Sequence, residues 1–328
     1  MTLKKGALVI SLDFELFYGV RDHFSVADYG KNIVGARKAV MEMLELFQQK
    51  SIHATWATVG LLFFDNKLDL IENIPTLKPD YKNKKLSPYR HVQNIGENEK
   101  TDGLHFGLSL VNKIKQTEGQ EIGSHTFSHF YCLEEGQSDA SFCADLECAK
   151  KVASKQNIEL NSLVFPRNQY DEGHLRSCGN VGFKAFRGNE DSWLYAPRSQ
   201  EDELVFRRLL RLLDSYFNLS GHHAYSLDQI DKVLPINIPS SRFLRPHSKK
   251  LKIFEGFKLR RILSDLTYAA KNNLFYHLWW HPHNFGDNLN DNMKMLNKIV
   301  DHYLLLKESF GFESLNMGEV CDEVINGE

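Results

Sequence analysis

The sequence predicts an α/β fold whose parallel strands close into a distorted (β/α) barrel. Three observations predict it. Short apolar runs alternate with stretches of three-to-four-residue apolar periodicity along much of the chain, which is how buried strands alternate with amphipathic helices. Polar residues able to do chemistry tend to follow the apolar runs, as they do where loops at the carboxyl ends of parallel strands build a site. No internal repeat or low-complexity linker divides the 328 residues, so one domain over 1–328 is expected, a length that suits a barrel. An open doubly wound sheet is the second architecture compatible with this pattern.

The elements follow in order. Residues 7–12 (ALVISL) are a short apolar run of the kind found in a buried parallel strand. Over 32–50, Ile33, Ala36, Val40, Leu44 and Phe47 mark one face of a helix. Residues 51–60 are rich in β-branched and aromatic side chains and read as a strand, completing a right-handed βαβ unit. Residues 65–101 hold Pro75, Pro79 and Pro88, many Asn and Lys, and little periodicity. They predict a long loop insertion over a barrel mouth. A strand end is expected at 120–124, a helix at 139–156, a strand at 162–165 closed by Pro166, a helix at 174–181 and a strand at 183–186. Residues 274–280 (LFYHLWW) predict an aromatic strand, 290–308 an amphipathic helix, and 312–315 and 317–326 a last strand and helix.

Composition narrows the class. Apolar residues make up 42% and charged residues 25%, which excludes a disordered chain, a collagen-like fibre and a small disulfide scaffold. Forty Lys and Arg against 42 Asp and Glu leave a formal charge of −2, which argues against a nucleic-acid partner. Lys4 and Lys5 precede the first apolar run, but Asp13 interrupts it and no small-residue cleavage site follows. The run therefore reads as a core strand and not an export signal. No apolar stretch reaches the length of a membrane span. Cys132, Cys143, Cys148, Cys178 and Cys321 are odd in number and form no C-x-x-C pair, so reduced thiols in a cytoplasmic enzyme are expected.

Four places carry candidate chemistry. Asp13 and Glu15 stand two apart at the first strand's end, so their carboxylates share a side. Such a pair suits a metal ligand beside a general base, and equally a solvated strand end. His125 and His129 are spaced i, i+4. On one helical turn they would face the same way, as zinc pairs do, and with a carboxylate they would leave a position open for water. A pair of capping or surface histidines is the plainer alternative. Arg167, in Phe165-Pro-Arg-Asn-Gln169, follows a strand and has the chemistry to pin a carboxylate, or to form an ordinary surface pair. His281 and His283 follow the aromatic strand as candidates for a general acid or for structural caps.

These words in this order resemble the polysaccharide deacetylase superfamily, also called the NodB-homology or carbohydrate esterase family 4 group. Residues 51–60 resemble its Ala-Thr-Phe-Phe strand, and 119–129 (GQEIGSHTFSH) resemble its His-Ser/Thr-x-x-x-His metal segment. Asp13-Phe-Glu15 stands where the family has Asp-Asp, Asp-x-Asp or Asp-x-Glu. The resemblance covers about residues 5–190 and again 274–286. It implies a NodB-type barrel with Asp13 as general base and Glu15, His125 and His129 as metal ligands. By the same resemblance Arg167 would tune Asp13, Trp193 would line an acyl pocket, and His281 would be the general acid with His283 its competitor. Tyr131 and Asn168 would contact substrate, with a backbone N–H near Phe130 or Tyr131 holding an oxyanion. Two departures stand out: Glu15 for the commoner Asp, and Phe-Pro-Arg167-Asn-Gln for Arg-x-Pro-Tyr.

The implied activity is metal-dependent removal of an N-acetyl or other small N-acyl group from a sugar. Zn2+ is the expected ion, with Co2+, Ni2+ or Fe2+ as alternatives. Without an export signal, a cytoplasmic nucleotide- or lipid-linked intermediate of surface-polysaccharide synthesis is the expected substrate. Residues 242–261 hold eight Lys or Arg and one Glu, a segment that would attract a phosphate-bearing substrate or a peripheral anionic membrane face. Rival readings are a glycoside hydrolase on a related barrel, which would use Asp13 and Glu15 without a metal, a deformylase, and an inactive metal-bearing carbohydrate-binding scaffold.

Overall fold

The computed structural model describes residues 5–199 and 204–327. Nine strands form one sheet: β1 (Ala7–Phe14), β2 (Ala54–Thr58), β3 (Gln120–Ser124), β4 (Ser162–Val164), β5 (Ala185–Arg187), β6 (Ile236–Asn237), β7 (Arg242–Phe243), β8 (Phe275–Trp280) and β9 (Glu313–Leu315). The helices are α1 (Val26–Lys50), α2 (Lys67–Glu72), α3 (Pro88–His91), α4 (Leu108–Gln116), α5 (Asp139–Lys155), α6 (Glu172–Val181), α7 (Val205–Asp214), α8 (Glu255–Lys271), α9 (Leu289–Phe310) and α10 (Met317–Asn326).

The strands lie in the order β6-β5-β4-β3-β2-β1-β8-β7, with β9 also on β1, and every strand pair is parallel. β6 and β7 belong to one segment that crosses from β5 to β8. Ile238 N–H donates to Phe186 O (2.9 Å) and Ser240 N–H to Gly188 O (2.9 Å). Then Ser241 N–H donates to His277 O and Leu244 N–H to Trp279 O (both 2.8 Å). This one segment spans the gap between the sheet's two ends, and the result is the distorted barrel that the sequence predicts.

Side-chain alternation sorts the core. Leu8, Ile10, Leu12 and Phe14 of β1 point to the helices and share the main core with Ile33, Val40 and Phe47 of α1 and Leu296 and Ile299 of α9. Ala7 and Val9 point the other way, with Ala57, Val164, Ala185 and Phe275, against Met317, Val320, Cys321 and Val324 of α10. α10 thus closes one end of the barrel. Half-buried Glu121 fixes it there: its carboxyl accepts from Gly318 N–H (2.9 Å), Thr55 Oγ1 (2.6 Å) and Ser162 Oγ (2.6 Å).

Several elements differ from the sequence pattern. α1 starts at Val26, not 32, because Ser25 and Asp28 form a capping box ahead of a polar first turn. Residues 65–101 contain α2 and α3 and do not line the cavity described below. They pack instead against the segment after His129, with Asp80 N–H donating to Gly136 O (2.8 Å) and Lys82 N–H to Glu135 O (2.9 Å). α7 and α8 fall where periodicity assigns nothing. In α7, Arg207 and Asp214 are buried while Val205, Phe206 and Leu209 are exposed, and in α8 Lys258, Arg261 and Asp265 are buried. A helix with a charged inner face defeats a reading built on apolar periodicity. Among the described residues, no helix is long and apolar enough to cross a membrane.

Candidate active site

The barrel end opposite α10 holds a polar cluster on strand ends. Asp13, next to last in β1, lies on the same face as Val9 and Ser11, pointing into the barrel. Glu15 follows as the chain turns into a short 3-10 helix over 16–19. Gly19 in that turn lies against Glu15: a Cβ there would stand 1.8 Å from Glu15 Oε1.

His125 follows β3, and His129 comes four residues later without a helix. Residues 125–131 are an irregular loop, with Thr126 and His129 in left-handed backbone (φ 62° and 59°). The expected helical turn is therefore corrected; two left-handed residues, not a 3.6-residue period, bring the imidazoles together. Asp145 of α5 holds this loop, accepting from Phe127 N–H (2.7 Å), Ser128 N–H (3.3 Å) and Ser128 Oγ. Thr126 Oγ1 accepts from Phe130 N–H (2.7 Å) and the Tyr81 hydroxyl accepts from Tyr131 N–H (2.8 Å). Those two N–H groups are already bonded, so neither is the oxyanion donor expected from the sequence.

Glu15, His125 and His129 each offer a ligand atom within 4.8 Å of the others, and all three are buried. Glu15 Oε2 lies 3.2 Å from His125 Nε2 and 2.9 Å from His129 Nε2, yet no hydrogen bond satisfies it. His125 Nδ1 faces Val164 O at 2.8 Å. Donation there leaves Nε2 with its lone pair, the arrangement metal-bound histidines adopt. Burial pulls His129 down to about 4, against the pull of Glu15, so it is neutral near pH 7. Burial pushes Glu15 up, and His281, His129 and His125 together bring it well below the usual carboxylate range. An anionic carboxylate and two imidazoles with one unsatisfied buried oxygen fit a divalent transition metal.

Asp13 stands beside this set, gripped by a different arginine from the one expected. Arg187, the last residue of β5, donates from Nη1 to Asp13 Oδ1 (2.7 Å) and from Nη2 to Oδ2 (2.9 Å). Burial raises Asp13, but Arg187, His125 and His281 outweigh it and hold the carboxyl below its ordinary value. Arg187 is itself braced: Nη1 also donates to Ser11 Oγ (3.0 Å), Nη2 to Asn168 Oδ1 (3.0 Å), and its guanidinium stacks 4.1 Å from the Trp279 ring centre. Below it, His277 Nε2 meets Ser11 Oγ at 2.9 Å. Burial pulls His277 down to about 3, so this interior imidazole is neutral.

Arg167 does not reach Asp13. It pairs with Asp22 and Glu134 and lies 4.3 Å over the Tyr131 ring. The backbone explains this, since Arg167 and Asn168 are both left-handed (φ 56° and 53°) and the chain reverses there. Asn168 does line the cavity. Tyr131 is fully buried beneath Arg167 and does not line it. Trp193 is 62% exposed and also stands off the cavity wall, near Arg207. Trp279 and Phe243 supply the apolar wall instead, 4.7 Å apart.

His281 and His283 part company. His281 Nε2 is 3.6 Å from Asp13 Oδ2 and 3.8 Å from Glu15 Oε1, and the ring lines the cavity. His283 is buried behind it, with Nδ1 3.6 Å from Glu15 Oε1, and burial pulls it down to about 3. Their loop sits tightly on α1: a Cβ on Gly286 would meet Asn32 O at 2.0 Å. The cavity has a volume of about 340 Å³. Asn189 Oδ1, Glu190 Oε1 and Trp279 Nε1 belong to residues on its wall and have no hydrogen-bond partner among the described residues.

No family model and no curated protein matches the chain by sequence. Solved structures do match. A protein from Mycobacterium smegmatis assigned as a polysaccharide deacetylase is 10% identical, covers 99% of this chain and 92% of its own, and superposes with a TM-score of 0.60. The barrel shares the fold of that protein. A second protein so assigned, from Pseudomonas aeruginosa PAO1, is 10% identical over 96% of this chain and 89% of its own (TM-score 0.52). A 4-alpha-glucanotransferase from Thermococcus litoralis is 11% identical over 97% of this chain but 40% of its own (TM-score 0.53). The fold is thus shared by proteins of different chemistry, and the side chains must separate the two.

Proposed function

We propose that the protein is a metal-dependent hydrolase that removes an N-acetyl or other small N-acyl group from a sugar. The observation that carries this is the convergence of Glu15, His125 and His129, with Asp13 locked by Arg187 beside them, at the inner end of a cavity. A divalent ion held there, Zn2+ first among candidates, supplies Lewis acidity and a water of lowered pKa. Asp13, held anionic and oriented by Arg187, takes the proton of the attacking water. His281, the histidine facing the cavity, gives a proton to the departing amine nitrogen. His283, pulled down to about 3, stays neutral near pH 7 and takes no such part. The unpartnered acceptors and donor on Asn189, Glu190 and Trp279 suit sugar hydroxyls.

The glycoside hydrolase reading asks one of the pair Asp13 and Glu15 to be a carboxyl of raised pKa. Both are held below their ordinary values, which counts against it. The test is acid release from N-acylated sugar nucleotides and lipid-linked sugars, with and without chelator. Acetate is expected only with metal, and His281→Ala is expected to lose about 10²–10⁴-fold in kcat. Reducing ends in place of acid, or full turnover by His281→Ala, would reject the assignment.

The finer reading places the enzyme in the cytoplasm on a nucleotide- or lipid-linked intermediate. Peripheral membrane contact belongs to it: Lys249, Lys250 and Lys252 are exposed beside Ile253, which is 86% exposed. Sedimentation with anionic but not neutral vesicles, lost on reversing those three charges, is the expected outcome.

A further inference from the structure

Several arginines on or behind the cavity wall already hold an anion. Arg187 grips Asp13, Arg167 pairs with Asp22 and Glu134, and Arg242 lies buried between Asp214 and Asp265. The basic run that sequence reading treats as one patch is divided in the same way. Lys258 pairs with Glu255 and Arg261 with Asp265, while Lys249, Lys250, Lys252 and Arg260 stay on the surface. Arg198 is on the wall but exposed, and Arg245 is the half-buried exception. It lines the cavity, and among the described residues its guanidinium has no hydrogen bond and no ion pair; its nearest marked contact is the Phe243 ring at 5.8 Å. The backbone beneath it is anchored, because Lys258 Nζ donates to both Arg245 O and Pro246 O at 3.0 Å. Arg211 lines the same wall. Burial and the neighbouring Arg211 both pull Arg245 down from its usual value, against Tyr195 and Tyr216, but an arginine keeps its charge near pH 7.

A half-buried guanidinium with no counter-ion among the described residues is costly, and a bound oxyanion removes that cost with two parallel hydrogen bonds. Phe243 and Trp279, between Arg245 and His281 on the wall, offer ring faces for the sugar between the two ends. We propose that Arg245 forms an oxyanion subsite, so that the substrate is an N-acylated sugar carrying a phosphate or carboxylate that docks on Arg245 while its acyl group lies at Asp13 and His281. The substrate assignment rests on the deacylase reading above; the subsite itself does not.

Inorganic phosphate titrated into the full-length chain and followed by calorimetry is expected to bind wild type about tenfold or more tightly than Arg245→Gln, with Arg245→Lys keeping part of the affinity. A parallel acetate titration separates the two sources: phosphate well ahead of acetate points to a phosphate ester, and comparable binding to a carboxylate-bearing sugar. Phosphate held by a metal at Glu15, His125 and His129 would be lost with chelator and indifferent to Arg245→Gln, so a chelator arm keeps the two sites apart. Equal phosphate affinity in wild type and Arg245→Gln, or no binding of either anion by wild type, overturns the proposal. Unchanged melting of Arg245→Gln and Arg245→Lys shows that the readout is not misfolding. The assay needs no turnover, so a failure to release acid from any sugar would reject the deacylase reading and leave the Arg245 result standing.

Discussion

At the scale of single residues, the pair Asp13–Arg187 decides whether a base is available. Burial works against the Asp13 anion, and Arg187 is the largest of the groups that counter it. Replacing Arg187 by Met therefore raises the Asp13 pKa, and the ionised fraction at a given pH falls. The acid limb of the pH–rate profile is expected to move upward, with Arg187→Lys moving it less; an unmoved limb in Arg187→Met would remove Arg187 from this role. Destabilisation of about 3–5 kcal/mol should accompany the change, since an uncompensated buried carboxylate remains. The sequence shows Asp13, Glu15, His125 and His129 because each follows an apolar run. It hides Arg187 because the run at 183–186 reads as complete one residue too early. Parity was the available signal: Arg187 is two residues beyond inward-facing Ala185. The reversal at Arg167 and Asn168 had no such signal, since left-handed backbone at non-glycine residues leaves little trace in sequence.

At the scale of elements, α5 shapes a loop that it does not contain. Asp145 alone satisfies two backbone donors and a hydroxyl in the His125–His129 segment. Asp145→Ala strands them in the interior and should cost roughly 2–4 kcal/mol. Metal affinity, measured by competition with a chromogenic chelator, should fall with it; unchanged affinity would show that the loop holds itself. Burial pushes Asp145 up to about 6. The folded protein then keeps this proton to higher pH than the unfolded chain, so the carboxyl subtracts stability as pH rises from about 4 to about 6. Asp145→Asn should flatten that part of the stability–pH curve. Sequence periodicity finds α5 because its inner face is apolar. It misses α7 and α8, where Arg207, Asp214, Lys258, Arg261 and Asp265 are turned inward and Asp214 and Asp265 both pair with Arg242 from another segment.

At the scale of the molecule, one end of the barrel carries the chemistry and the other is sealed. Removing 312–328 takes away β9 and α10 and uncovers Ala7, Val9, Ala57 and Val164. Loss of Met317, Val320 and Val324 from the interior alone is on the order of 5 kcal/mol or more, comparable to the whole stability of many domains. The truncated chain is expected to show no cooperative melt by circular dichroism; a native-like melt would mean that the sealing helix is dispensable.

The strand order also sets a timetable. β1 is flanked by β2 on one side and by β8 on the other, and β8 comes late in the chain. As the ribosome delivers the protein, Glu15, His125 and His129 can meet once the first four strands are out, because those strands are neighbours. Asp13 must wait for a partner 174 residues downstream, and His281 arrives later still. If the proposed function holds, a nascent chain would cradle an ion well before it owned its base or acid, and the catalyst would be assembled last.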